Sequence, residues 1–372
     1  MSRRLLATAV VAAAVAAGIG GYLLVGDEDA GDDRPAAILR TPTSYRIVFR
    51  VEDFAGGDTV TIEELLVRRP FEARVETRAG GRLIALDVHA FGRHAIQGEG
   101  EGRAVVVAAE PSPPGPDLQP APALADALER ELIERRSQRT VAGRACQVYR
   151  AGAPVAGGVI TPVDADSDEW ADFCVDEAGL VVAEDWVLDG DLVRRRTAST
   201  VDERPDISAD AFVIDGEVLP VDAGGGAVQL VTDDSRPPDA DFWELRDAPA
   251  GFDHHGRYVV SPPSGGSLVS PEPGPSQAGV TDVWVRPAGL LVVENGGTVS
   301  GEAAFGDHPV GRDVDLDDLG TGEVVVDLRS SQVHVNLGGG RYVRVYGTLP
   351  PGELVDIARR LERRDGGTIT TR

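Results

Sequence analysis

An α+β fold is predicted: a curved antiparallel sheet with a packed helix, then a smaller α+β domain. Three observations predict it. Apolar and polar side chains alternate with period two through residues 45–109 and 145–201. Two stretches instead carry an apolar stripe at helical spacing, one between those strand runs and one near the end of the chain. A glycine-, aspartate- and proline-rich stretch at 217–241 separates the two sets and reads as a linker.

The strands follow in order. Tyr45, Ile47, Phe49 and Val51 share one side of the first. Thr59 to Val67 is the second. The third alternates most cleanly, with Phe71, Ala73, Val75 and Thr77 against Glu72, Arg74, Glu76 and Arg78. Ala79-Gly80-Gly81 turns the chain into Leu83 to His89, and Arg103 to Ala109 completes the run. After a proline-rich loop at 111–122, Leu124, Leu128, Leu132 and Ile133 predict a helix over Ala123 to Arg136. Strands resume at Ala145 to Arg150 and Asp172 to Val175. Leu180 to Leu188 and Leu192 to Val201 flank Asp189-Gly190, a hairpin turn pair. Beyond the linker, short strands are expected from Arg257 to Tyr346. Pro350-Pro351 then opens a helix striped by Leu354, Ile357, Ala358 and Leu361.

The first residues carry a different signal. Leu5 to Gly26 holds no charged side chain across 22 positions, and a bilayer needs roughly 20 apolar residues. Arg3 and Arg4 precede it and Asp27-Glu28-Asp29 follow, so the bulk is expected outside the cytoplasm. Two readings stay open: a single-pass anchor in the cytoplasmic membrane, or a signal peptide cleaved near Ala14-Val15-Ala16, which would release the chain. The resulting divisions are an anchor at 1–26, a tether at 27–42, a first domain at 43–216, the linker at 217–241, a second domain at 242–364 and a tail at 365–372.

Charge narrows the function classes. Thirty-six basic residues face 61 acidic ones, a formal net charge of −25. Such a surface repels nucleic-acid phosphates, so no nucleic-acid partner is expected. Every basic residue apart from histidine is arginine, because the chain has no lysine. That removes phosphate loops with a Walker lysine and Schiff-base chemistry. The two cysteines, Cys146 and Cys174, are expected to form a disulfide in an exported chain.

Other candidate chemistry is thin. Asp164 to Asp168 and Asp313 to Asp317 are acidic runs, but each lacks the glycine and the final glutamate of a calcium loop. His254 and His255 are adjacent, and adjacent strand residues face opposite ways. No metal, no cofactor and no nucleophile elbow is expected. An enzyme of the cell envelope therefore has no sequence feature to support it. Tyr45, Ile47, Phe49, Phe71, Val75 and Trp186 could line the concave face of the sheet and hold an acyl chain or apolar peptide. Alternatively the helix fills that concavity.

Several segments resemble a known group. Tyr45 to Phe49, "VRRPFEARVE" (67–76), "VAGRACQVYR" (141–150) and the hairpin at 174–199 resemble the half-barrel domain of the lipoprotein carriers LolA and LolB. The same half-barrel forms the first part of the sigma-E regulatory proteins of the RseB/MucB group. "DAPAGF" (247–252) and "RYVRVYGTLPPGELVDIARRL" (341–361) resemble the second domain of that group, in the same order. The resemblance implies a half-barrel followed by a smaller domain. It also implies a non-enzymatic regulator or sensor that binds a membrane anti-sigma factor or another envelope protein, with lipid or lipoprotein as a further ligand. The alternative it leaves is a lipid or lipoprotein carrier.

Overall fold

The computed structural model describes residues 42–55, 58–69, 72–90, 93–98, 105–106, 121–152, 161–164, 167–213, 227–231, 242–261, 279–287, 289–297, 305, 311–326 and 331–364. The apolar run at 5–26 lies outside them. Among the described residues no helix is long and apolar enough to cross a membrane.

The first sheet has eleven antiparallel strands. Six come first: β1 (Ser44–Asp53), β2 (Thr59–Arg68), β3 (Glu72–Ala79), β4 (Arg82–Ala90), β5 (Arg93–Gly98) and β6 (Val105–Val106). Helix α1 (Ala121–Glu129) follows, and then β7 (Ile133–Val141), β8 (Arg144–Ala151), β9 (Trp170–Asp176), β10 (Val181–Leu188) and β11 (Asp191–Asp202). Their spatial order is β6-β5-β4-β3-β2-β1-β11-β10-β9-β8-β7. Two meanders are therefore joined along β1 and β11, the first and last strands of the run. The β10–β11 turn has positive φ at both Asp189 (52°) and Gly190 (77°). That pair of conformations matches the strand twist and needs residues tolerant of the left-handed region.

Helix α1 is shorter than its apolar stripe predicts. Glu131 takes a φ of 56°, and the Glu131 and Leu132 amides donate back to the Leu128 and Ala127 carbonyls. This is a Schellman closure with glutamate where glycine is usual. Leu132 and Ile133 keep their apolar partners but leave the helix, and Ile133 begins β7. Leu124, Ala127, Leu132 and Ile133 pack on Tyr149, Phe173, Val175 and Val181. Val326, from the second half of the chain, is buried in the same cluster.

On the other side of the first sheet, the chain after β11 runs back across β2 to β4. Phe212 is buried against Leu86 and Val88 there. Arg74 donates to the Ala211 carbonyl at 3.0 Å.

A second sheet has eight strands. These are β12 (Ala227–Val231), β14 (Asp253–Ser261), β15 (Gly279–Arg286), β16 (Gly289–Gly297), β17 (Arg312–Asp315), β18 (Thr321–Val325), β19 (Ser331–Gly338) and β20 (Arg341–Gly347). Strand β12 falls within the stretch expected to be linker. Helix α2 (Pro351–Arg359) buries Leu354, Val355, Ile357 and Ala358 on this sheet. Two short strands, β13 (Phe242–Leu245) and β21 (Leu361–Arg364), pair separately. Asn295 holds β13 in place, donating to the Trp243 carbonyl at 2.8 Å and accepting from its amide at 2.7 Å. The whole is richer in strand than the α+β expectation.

Candidate functional site

Cross-strand partners share a face of a sheet, so register identifies the side chains that could form a site. Val51 lies opposite Arg196, Arg196 opposite Glu184, Glu184 opposite Phe173, and Phe173 opposite Tyr149. This row places Phe49, two residues from Val51, on the same face as the side chains that α1 covers. Trp186 is on that face too, opposite Arg194 and Ala171. Helix α1 thus lies over β8 and β9, to one side of β1.

Of the six residues expected along the concavity, four pack together. Tyr45, Ile47 and Phe49 are 1%, 2% and 0% exposed, and Val75 packs against their cluster. Trp186 is half-buried and outside that cluster, its ring 5.8 Å from the Arg194 guanidinium carbon. Phe71 lies outside the described residues. Two irregularities explain how strands far from β1 reach its apolar cluster. The register shifts between Val48 and Phe49 against β11, and between Val181 and Ala183 against β9. An extra residue at a bulge bends the strand and interrupts the alternation. Val141, Cys146, Val148, Cys174, Leu180 and Val182 thereby join Tyr45, Ile47 and Phe49 in one interior.

The disulfide between Cys146 and Cys174 lies in that interior. It ties β8 to β9 with the Cα atoms 5.4 Å apart.

A charged network borders the apolar cluster, and it was not foreseen from the sequence. The Arg196 guanidinium stacks 3.6 Å from the Phe49 ring centroid. It bonds Glu63, and it meets Glu184 at 3.0 Å. Arg194 approaches Glu63 at 4.0 Å. The Arg196 side chain is 8% exposed. Burial works to lower its pKa, but Glu184 and Glu63 outweigh that and hold it above the ordinary arginine value. Its Nε has no hydrogen-bond partner. Nearby Arg69 stacks over Tyr45 at 5.2 Å, and burial pushes its pKa down to about 9.

A second buried network fastens the paired strands β13 and β21 to the second sheet. Arg257 donates to Asp282 at 2.7 and 2.8 Å and to Glu244 at 2.8 Å. Glu244 also pairs with Arg364. His254 lies 3.5 Å from Asp282 and packs on Trp284 at 5.2 Å. Burial works against the Asp282 carboxylate, yet His254 and Arg257 keep its pKa below the usual carboxylate range. Burial, then the charge of His254, pushes His255 down. Among the described residues no group of three or more histidine, cysteine or acidic side chains is placed to hold a metal ion.

No family model and no curated relative matches the chain. Solved structures do. In the complex of Pseudomonas aeruginosa MucA and MucB, the matched chain is 16% identical, with 90% of this chain and 98% of that one covered, at a TM-score of 0.34. A crystal structure of MucB is also 16% identical, covering 91% and 99%, at a TM-score of 0.32. An uncharacterized conserved protein from Thermus thermophilus is 11% identical, covering 51% of this chain and 93% of that one, at a TM-score of 0.31. Two of these three structures contain MucB, a member of the group that the chain's sequence segments resemble.

Proposed function

We propose that the chain is a non-enzymatic regulator on the outer side of the cytoplasmic membrane that binds a partner protein, a membrane anti-sigma factor. One observation carries the choice of a protein partner over a lipid cargo. Tyr45, Ile47 and Phe49 are already packed among the chain's own side chains at 0–2% exposure. Displacing such packing for an acyl chain would cost about what the packing contributes, roughly 1.5–3 kcal/mol per side chain. The partner class comes from the resemblance of residues 67–76, 141–150, 174–199 and 341–361 to the regulator group. The anchor at 5–26 would hold the chain beside such a membrane partner.

Photocrosslinking of the full chain in its own host tests this reading. A single-pass membrane protein should be captured, and deletion should change the output of an extracytoplasmic stress sigma factor. Unchanged sigma output together with no captured membrane protein would sink it. The carrier reading predicts instead a co-purified species of lipid mass in native mass spectrometry, lost when Trp186 is made charged.

A further inference from the structure

The two sheets have four edges, and they are not alike. Strand β6 is two residues long, β17 is four and β12 is five. Strand β7, the last strand of the first sheet among the described residues, is nine. Short edges are a common protection against unwanted pairing. The middle of the long edge is bare. Glu134, Arg135, Arg136, Ser137 and Gln138 are exposed in succession, so both faces of its middle meet solvent.

The long edge is basic in an acidic chain. Arg135, Arg136 and Arg139 stand against Glu134 alone, whereas the whole chain carries −25. Arg136 pairs with Glu134 at 2.6 Å, and Arg139 reaches Asp185 at 3.4 Å. Arg135 donates to neutral Gln147 at 3.0 Å. A register shift between Arg135 and Gln138 bulges the strand, and Gln147 donates to the Arg136 carbonyl at 2.5 Å, pinning the bulge.

We propose that β7 is a docking edge for an extended, acidic segment of a partner protein, which adds to the first sheet as a further strand. Main-chain hydrogen bonds from an open edge supply affinity, and side chains at alternate positions supply selectivity. Here the selectivity is charge. Two copies of β7 would repel one another through their arginines, so self-pairing is disfavoured. Carboxylates on an incoming strand would meet Arg135 and Arg136 on a rim where the rest of the molecule repels them. The bulge limits pairing to the residues on either side of it. The inference stands on the edge itself and holds whether or not the partner is an anti-sigma factor.

The test uses the full chain and a fluorescein-labelled peptide of four threonine–glutamate repeats, read by anisotropy at low salt. Saturable binding that weakens as salt rises is expected. Arg135→Glu with Arg136→Glu should weaken it at least tenfold. Arg246→Glu, which reverses an exposed arginine elsewhere, should leave it unchanged. The same peptide N-methylated at every backbone amide keeps its charge but has no main-chain donor for a ladder, and should bind at least tenfold more weakly. No binding at low salt overturns the proposal. Equal binding of the N-methylated peptide also overturns it, leaving charge attraction without strand addition. An equal loss in the Arg246→Glu variant overturns it as well.

Discussion

Replacing Arg196 with methionine should destabilise the first sheet far more than the loss of one surface ion pair. The guanidinium lies between Glu63 and Glu184, with side-chain exposures of 8%, 14% and 12%, and over the fully buried Phe49. Methionine fills similar space and keeps the contact with the ring. It leaves two carboxylates in a poorly hydrated site with one cation removed. Breaking a buried pair from one side costs about 3–5 kcal/mol. Residual attraction of Glu63 to Arg194 at 4.0 Å places the expected loss near the lower end. At about 2–4 °C per kcal/mol, a loss of about 3 kcal/mol should lower the midpoint by roughly 6–12 °C. Urea and thermal unfolding of the full chain, followed by tryptophan fluorescence, measure it. Combining Arg196→Met with Glu63→Gln and Glu184→Gln should restore most of the loss, because no buried charge remains. A midpoint shift below about 2 °C, or a triple variant no better than the single one, would refute the reasoning.

Other consequences can be measured directly. Glu131→Gly should stabilise the chain by about 0.5–1 kcal/mol, since glycine relieves the left-handed strain at the end of α1 and keeps the Schellman bonds; a loss in urea midpoint would contradict that closure. Reduction, or the Cys146→Ala with Cys174→Ala pair, should cost about 3–4 kcal/mol for a 28-residue separation; an unchanged midpoint would mean that the packing alone holds β8 to β9. Asp282 titrates below the usual range when folded, so its contribution is complete above the unfolded value of about 3.9 and is lost as pH falls through the folded one. Acid unfolding of the second sheet should therefore begin at higher pH in Asp282→Asn, and coincident acid transitions would refute the role of that pair.

Much of the first sheet was legible because its strands carry the period-two signal in full. Tyr45, Ile47, Phe49 and Val51 alternate in sequence and are buried in the fold. Asp189-Gly190 announces a turn that needs two positive φ angles and has them. The cysteine pairing was legible as well, since only one pairing is available to two cysteines. Strand β7 was not legible. Its apolar ends look like the last turn of a helix, and its exposed middle has no alternation to read. Only the closing bonds at Glu131 and Leu132, together with pairing to β8, separate strand from helix there.

Residue order alone shows the alternation of β1 to β4 and β8 to β11, the apolar stripe of α2, the acidic balance and the unbroken apolar run at residues 5–26. Each is a local pattern, carried by neighbours within a few positions of one another. Tertiary structure decided what the expected binding face became. Glu63, Glu184 and Arg196 meet only because β2, β10 and β11 are brought side by side across β1, at separations of up to 133 positions. Two bulges then direct Cys146, Cys174 and Leu180 into the cluster of Tyr45 and Phe49. Pairing across such distances depends on register and curl, and no local periodicity encodes them.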